Sequence, residues 1–279
     1  MRTVIVASCG VLVLLGAVLA LRWGHLEVEP RWDDGDGVSI GARIQRGLWF
    51  VDVHLAGGIA GGLLVLGPGV RLVMRLLAVT AEEQATGRRT EAEQIVGVVS
   101  LDGTLGLIIF SGIFGGLLLA AIALLLRKWL PPGRWGALSA GVLFAMIGST
   151  RLDPLRPRNT DFELVGPKPL AILSFLVVGA LSVLTIAAVA GRVSRSLPLL
   201  SRRPGAIVPY LPLVLLLPLG VIGVATVLGG AVGVVALGQR GFRKVWTSRP
   251  VLYAGRAGIA LVTVAFLPSF VDDVRSILG

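Results

Sequence analysis

Asp52 and His54 are the residues of this chain best placed to do chemistry. They stand in Trp49-Phe50-Val51-Asp52-Val53-His54-Leu55, near the start of a long apolar run. An ionisable side chain inside a membrane is costly, so it is a default candidate for function. A carboxylate takes up a proton or holds a cation, and an imidazole titrates near neutrality. Two positions apart on a helix, the pair do not share a face, so they would bracket a proton or ion entry rather than form one dyad. The plainer reading places both at headgroup level as polar residues at the edge of a span. Arg256 is the other charged residue within an apolar run. A long arginine there snorkels to the interface, or pairs with an acid of the tail or a loop.

A second group lies in the loop after residue 150, where Asp153, Asp161 and Glu163 alternate with arginines among several prolines. These acids could hold a cation, or serve an intramembrane enzyme acting on lipid or envelope precursors from the surface. The plainer alternative is a stiff loop with internal arginine–aspartate pairs. Asp33-Asp34-Gly35-Asp36-Gly37 hints at a calcium loop but lacks the later bidentate glutamate, and reads as a solvated turn. The two histidines and the single cysteine, Cys9, form no metal-ligand cluster and allow no intrachain disulfide. No HExxH, GxSxG or Walker A pattern occurs. No catalytic set, cofactor or metal is therefore expected. No carboxylate is expected at mid-span, which weighs against a proton pump built on a relay of acids.

The elements that must carry these residues are transmembrane helices. Hydrophobic residues make up 54% of the chain and charged residues 15%, against about 25% charge for a soluble domain. The apolar residues come in runs near the roughly 20 residues that cross a bilayer, and barrel strands would alternate instead. The expected fold is all-α, a polytopic transmembrane bundle of about seven spans. The spans are placed at 3–21, 48–70, 103–126, 135–150, 170–190, 206–238 and 251–270. The segment 206–238 is too long for one span, and Pro209, Pro212, Pro218 and Gly229-Gly230 interrupt it. One tilted span, two short spans or a broken helix all fit, and a hairpin would make eight. Pro68 is expected to kink or end the second span, with an amphipathic extension through Arg71 and Arg75.

The second and third spans echo each other. Gly57-Gly58-Ile59-Ala60-Gly61-Gly62-Leu63-Leu64-Val65 returns as Ser111-Gly112-Ile113-Phe114-Gly115-Gly116-Leu117-Leu118-Leu119. The small residues lie four apart: Gly57 with Gly61, Gly58 with Gly62, Ser111 with Gly115, and Gly112 with Gly116. On a helix this spacing makes a flat stripe against which another backbone packs, the main way helices adhere in lipid.

The N-terminal run, flanked by Arg2 and Arg22, reads as an uncleaved first span rather than a signal peptide. Under seven spans the basic residues divide almost equally between the two sides, so the positive-inside rule fixes no orientation. The net charge of +10 sits largely in short juxtamembrane loops, which suits anionic lipid headgroups. No basic stripe with interleaved aromatics marks nucleic-acid binding. The expected partners are the lipid bilayer, with anionic lipids beside the basic loops, and a membrane-protein partner or a second copy in a homo-oligomer.

From residue 55 to about 190 the chain carries Gly69-Val70-Arg71-Leu72-Val73-Met74-Arg75, Asp102-Gly103-Thr104, Arg127-Lys128-Trp129-Leu130-Pro131, Asp153-Pro154, Asn159-Thr160-Asp161-Phe162 and Gly166-Pro167. In these it resembles a group of multi-pass membrane proteins from high-GC actinobacteria that carries no known activity. The resemblance implies this architecture and a bacterial plasma membrane, and no site residues. The leading functional expectation is a non-enzymatic accessory or scaffold protein. The alternative is a small-solute or ion transporter, since transporters use internal repeats and broken helices.

Overall fold

A computed structural model describes residues 2–29, 39–81, 87–89, 95–151, 166–200, 207–214 and 244–278. These residues are all-helical, apart from an isolated bridge between Arg89 and Ile95. We name the helices α1 (Arg2–Trp23), α2 (Ile40–Thr80), α3 (Leu101–Leu126), α4 (Gly133–Arg151), α5 (Lys168–Ser194), α6 (Leu211–Val214) and α7 (Arg249–Leu278). Five of them, α1, α2, α3, α5 and α7, are long and apolar enough to cross a membrane. The helix expected at 135–150 is present as α4 but does not join those five. Most of 206–238 lies outside the described residues, as do Asp33, Asp34, Asp36, Asp153, Asp161 and Glu163.

Helix α2 begins eight residues earlier than its apolar run. Ser39 holds an extended backbone, φ −60° and ψ 153°, and its hydroxyl accepts from the Ala42 amide at 3.3 Å. That cap satisfies one of the four orphan amides at the helix start. Residue 42 is alanine, so the reciprocal glutamate of a capping box is missing, and the start was hidden by the polar residues between it and the apolar run. Ser100 caps α3 in the same way, accepting from the Gly103 amide at 3.1 Å.

Pro68 does not end α2. A proline removes its own N–H and crowds the carbonyl four residues earlier. Here the helix widens to a π-turn over Gly62–Leu66, and the Gly67 amide bonds back to Gly62 O. The wider turn just ahead of Pro68 lets the helix run on to Thr80. A second π-segment, Ile108–Phe114, interrupts α3, and the two segments pack on each other. Both fall on the glycine echo.

Helices α2 and α5 pack along each other at the centre. α1 lies against both, α3 covers another side of α2, α4 packs on α5, and α7 packs on α4. Lipid tails are as apolar as the side chains, so close van der Waals packing and interhelical hydrogen bonds must hold such a bundle. The glycines of α2 form two stripes rather than one. A Cβ on Gly57 would lie 2.5 Å from Ile186 O, and one on Gly61 3.0 Å from Ser182 O, so this stripe seats α5. A Cβ on Gly58 would lie 2.7 Å from Gly116 O, and one on Gly112 2.9 Å from Gly62 O, so the neighbouring stripe seats α3 in antiparallel register. On α3, Gly115 faces the side chain of Leu66, and Ser111 is half-buried. Thr185 of α5 donates to Gly16 O of α1 at 3.2 Å, tying the first helix to the centre.

Candidate functional site

The first two turns of α2 are exposed or half-buried, and the helix becomes enclosed from Trp49 to Leu55. Trp49, Val51, Asp52, Val53, His54 and Leu55 are all buried. Trp49 is fully buried and donates its indole N–H to Leu197 O at 2.8 Å. That bond anchors α2 to the chain leaving α5. The chain then returns over the same spot: the short turn Val208–Tyr210 leads into α6, and the Tyr210 hydroxyl donates to Pro198 O at 2.8 Å. Trp49, Val53, Ala190, Leu197 and Tyr210 form one apolar cluster.

Asp52 lies one turn deeper than Trp49. It has no exposed surface, and neither carboxylate oxygen has a hydrogen-bond partner among the described residues. The backbone of Leu213 in α6 lies close to it without forming a hydrogen bond. Its surroundings are apolar, with Val51, Leu55, Leu117 and Leu213 in one cluster. Buried polar groups in folded proteins are nearly always paired, and leaving one unpaired costs about 1–3 kcal/mol. At 1.5 Å per residue, Asp52 stands about 18 Å along α2 from Ile40. It is enclosed by protein.

His54 is 7% exposed and turns to a different side. A carbonyl can only accept, so the contact of Nδ1 with Phe50 O at 2.8 Å places the proton on Nδ1 and leaves Nε2 as an acceptor. The Phe50 ring lies 4.8 Å from the imidazole, and the Arg127 guanidinium lies 4.8 Å from the centre of the Phe50 ring. Arg127 also donates to Val28 O at 3.2 Å, in the extended segment before α2. Asp52 therefore faces the 207–214 segment, and His54 faces the end of α3. They are neighbours in sequence that open toward different elements.

Arg71 is the charged residue that sequence reasoning passed over as part of an amphipathic face. It is 7% exposed, and its Nε has no partner among the described residues. It faces the buried Cys9 of α1. At 1.5 Å per residue it stands about 28 Å along α2 from Asp52. Helix α2 thus carries a buried acid toward one end and a buried cation toward the other. Arg127 and Tyr210 were also missed as neighbours of the site. Arg127 read as an interfacial anchor, and only long-range contacts bring Tyr210 to Trp49. Arg256 is exposed, and among the described residues no carboxylate pairs with it. Among the described residues no three of His, Cys, Asp and Glu come close enough to hold a metal.

No protein-family model, no curated protein and no solved structure matches the chain. The functional reading rests on this geometry.

Proposed function

We propose that the chain is a multi-pass protein of the bacterial plasma membrane that carries a proton or small cation along a path that includes Asp52. One observation carries the reading: a fully buried carboxylate with both oxygens unpartnered among the described residues, in a helix apolar enough to span a bilayer. A purely structural role would be better served by leucine at this position, since an unpaired buried carboxylate only destabilises the packed bundle. A group that must bind and release a small ion needs free acceptor oxygens and no fixed donor. Transporters use short, broken helices beside such residues, and the short helix Leu211–Val214 close to Asp52 supports the reading. His54, with Nε2 free to accept, is a second relay group on the side of Arg127.

The test is flux in proteoliposomes holding the purified chain, measured for protons, sodium and potassium in turn. Flux of one of these ions is expected, falling to the level of empty liposomes in Asp52→Asn. Absence of flux for all three, or full flux in Asp52→Asn, would remove the reading.

The accessory or scaffold role is favoured by a different observation. Ile277 is the one buried side chain among the described residues of α7, and the helix leaves an exposed apolar face with Tyr253, Leu261, Val264 and Leu267 to lipid or to another protein. Co-purification of a fixed stoichiometric partner, with no flux, would support that reading instead.

A further inference from the structure

A cleft of about 390 Å³ opens between the end of α3, α4 and α7. One wall is apolar, built by Leu138 and Val142 of α4 and Ile259 of α7, with Thr263 beside them. Thr263 spends its hydroxyl on Ile259 O at 2.8 Å, so it offers no donor to the cleft. Trp129 and Arg256 also line it. The volume falls within the range of pockets that hold drug-sized ligands, about 300–1,000 Å³.

Trp129 lies in a belt of cations and aromatic rings. Trp129 donates to Val251 O at 3.3 Å and meets Trp246 edge-on at 5.9 Å. Lys128 sits 4.0 Å from the Trp246 ring centre and donates to Trp246 O. Arg134 lies over the Trp135 ring at 5.5 Å. Tryptophans with flanking lysine and arginine mark the headgroup level of a bilayer. Arg256 stands about 10 Å along α7 from Arg249 at 1.5 Å per residue, within reach of that level for an extended arginine. No carboxylate lines the cleft, and among the described residues none pairs with Arg256. The site therefore joins an apolar wall to a cation, without an acid to neutralise it.

We infer that this cleft binds one anionic phospholipid of the surrounding bilayer, its headgroup phosphate on Arg256 and an acyl chain between α4 and α7. Guanidinium matches phosphate through paired N–H donors, and the apolar wall accepts a hydrocarbon chain. A zwitterionic lipid would fill the same wall but gain less from the cation. The inference does not depend on ion transport, and stands or falls apart from it.

The experiment uses the full chain, purified in neutral detergent and titrated by native mass spectrometry. Phosphatidylglycerol and phosphatidylcholine of identical acyl chains are the two probes. The phosphatidylglycerol adduct is expected to form about fivefold more tightly, the effect of one basic residue at a lipid surface. In Arg256→Gln that preference is expected to vanish. Val142→Trp, which fills the cleft, should weaken both lipids. Arg256 is exposed and Val142 is 54% exposed, so neither change enters the packed core. Equal binding of the two lipids by the native chain overturns the inference. So does a preference retained in Arg256→Gln, or lipid binding untouched by Val142→Trp.

Discussion

Gly62→Ala tests how the bundle is held. A Cβ at Gly62 would fall inside contact distance of Gly112 O, with the Gly112 carbonyl carbon at 2.7 Å and the Ile113 nitrogen at 3.3 Å. All three obstacles are backbone, so no rotamer can swing away, and α2 must move off α3. Gly179 of α5 is the matched control: it is also buried in an apolar helix, yet a Cβ there meets nothing within 4 Å. Alanine in place of glycine favours either helix by roughly 0.5–1 kcal/mol, and that gain is common to both variants. It cancels in the comparison and leaves the steric penalty, about 1–3 kcal/mol for a methyl group forced into a packed site. The assay is equilibrium unfolding by sodium dodecyl sulfate titration from mixed micelles, followed by circular dichroism. Gly62→Ala should unfold at lower denaturant than the native chain, and Gly179→Ala at equal or higher denaturant. If the two variants unfold together, the glycine contact does not hold α2 to α3 and the packing account fails.

Other outcomes follow from single contacts. Trp49→Phe keeps most of the ring but leaves Leu197 O without its 2.8 Å donor; the loss should be about 1–2 kcal/mol in the same titration, and an unchanged midpoint would mean the bond is not needed to anchor α2. Ser100→Ala removes the hydroxyl that accepts from the Gly103 amide and should cost about 1 kcal/mol. Ser100→Asp, another good cap, should restore it, and failure of that rescue would assign the loss to something other than capping.

Much of the helical architecture is written in the apolar runs, because a bilayer demands continuous apolar length and a helix is the simplest way to pair the backbone within it. The run at 103–126 falls inside α3 to within two residues, and the run at 251–270 falls inside α7, which continues eight residues further to Leu278. Where boundaries moved further, the cause was local chemistry that hydropathy does not register. Ser39 starts α2 ahead of its apolar run, and the π-turn before Pro68 carries it past a residue that normally stops a helix. Asp52 and His54 were visible as ionisable residues in an apolar setting, and so were singled out. Their enclosure was not visible, since it depends on segments far along the chain, Leu213 beside Asp52 and the end of α3 with Arg127 on the side of His54. The burial of Arg71 was hidden for the same reason: its partner surface, α1, is distant in sequence. The repeated small residues announced close packing, but only the assembled bundle assigns one stripe to α5 and its neighbour to α3.

The most direct measurement of the central claim is carbodiimide modification of Asp52 in the membrane-embedded chain. A hydrophobic carbodiimide reaches acids within the bilayer, and peptide mass spectrometry reads the adduct residue by residue. The ion-path account predicts an adduct on Asp52 in the folded chain, reduced when the transported cation is present in excess. An Asp52 that stays unmodified in the folded chain and reacts only after unfolding in sodium dodecyl sulfate would contradict it, because no small ion would then have a route to the carboxylate.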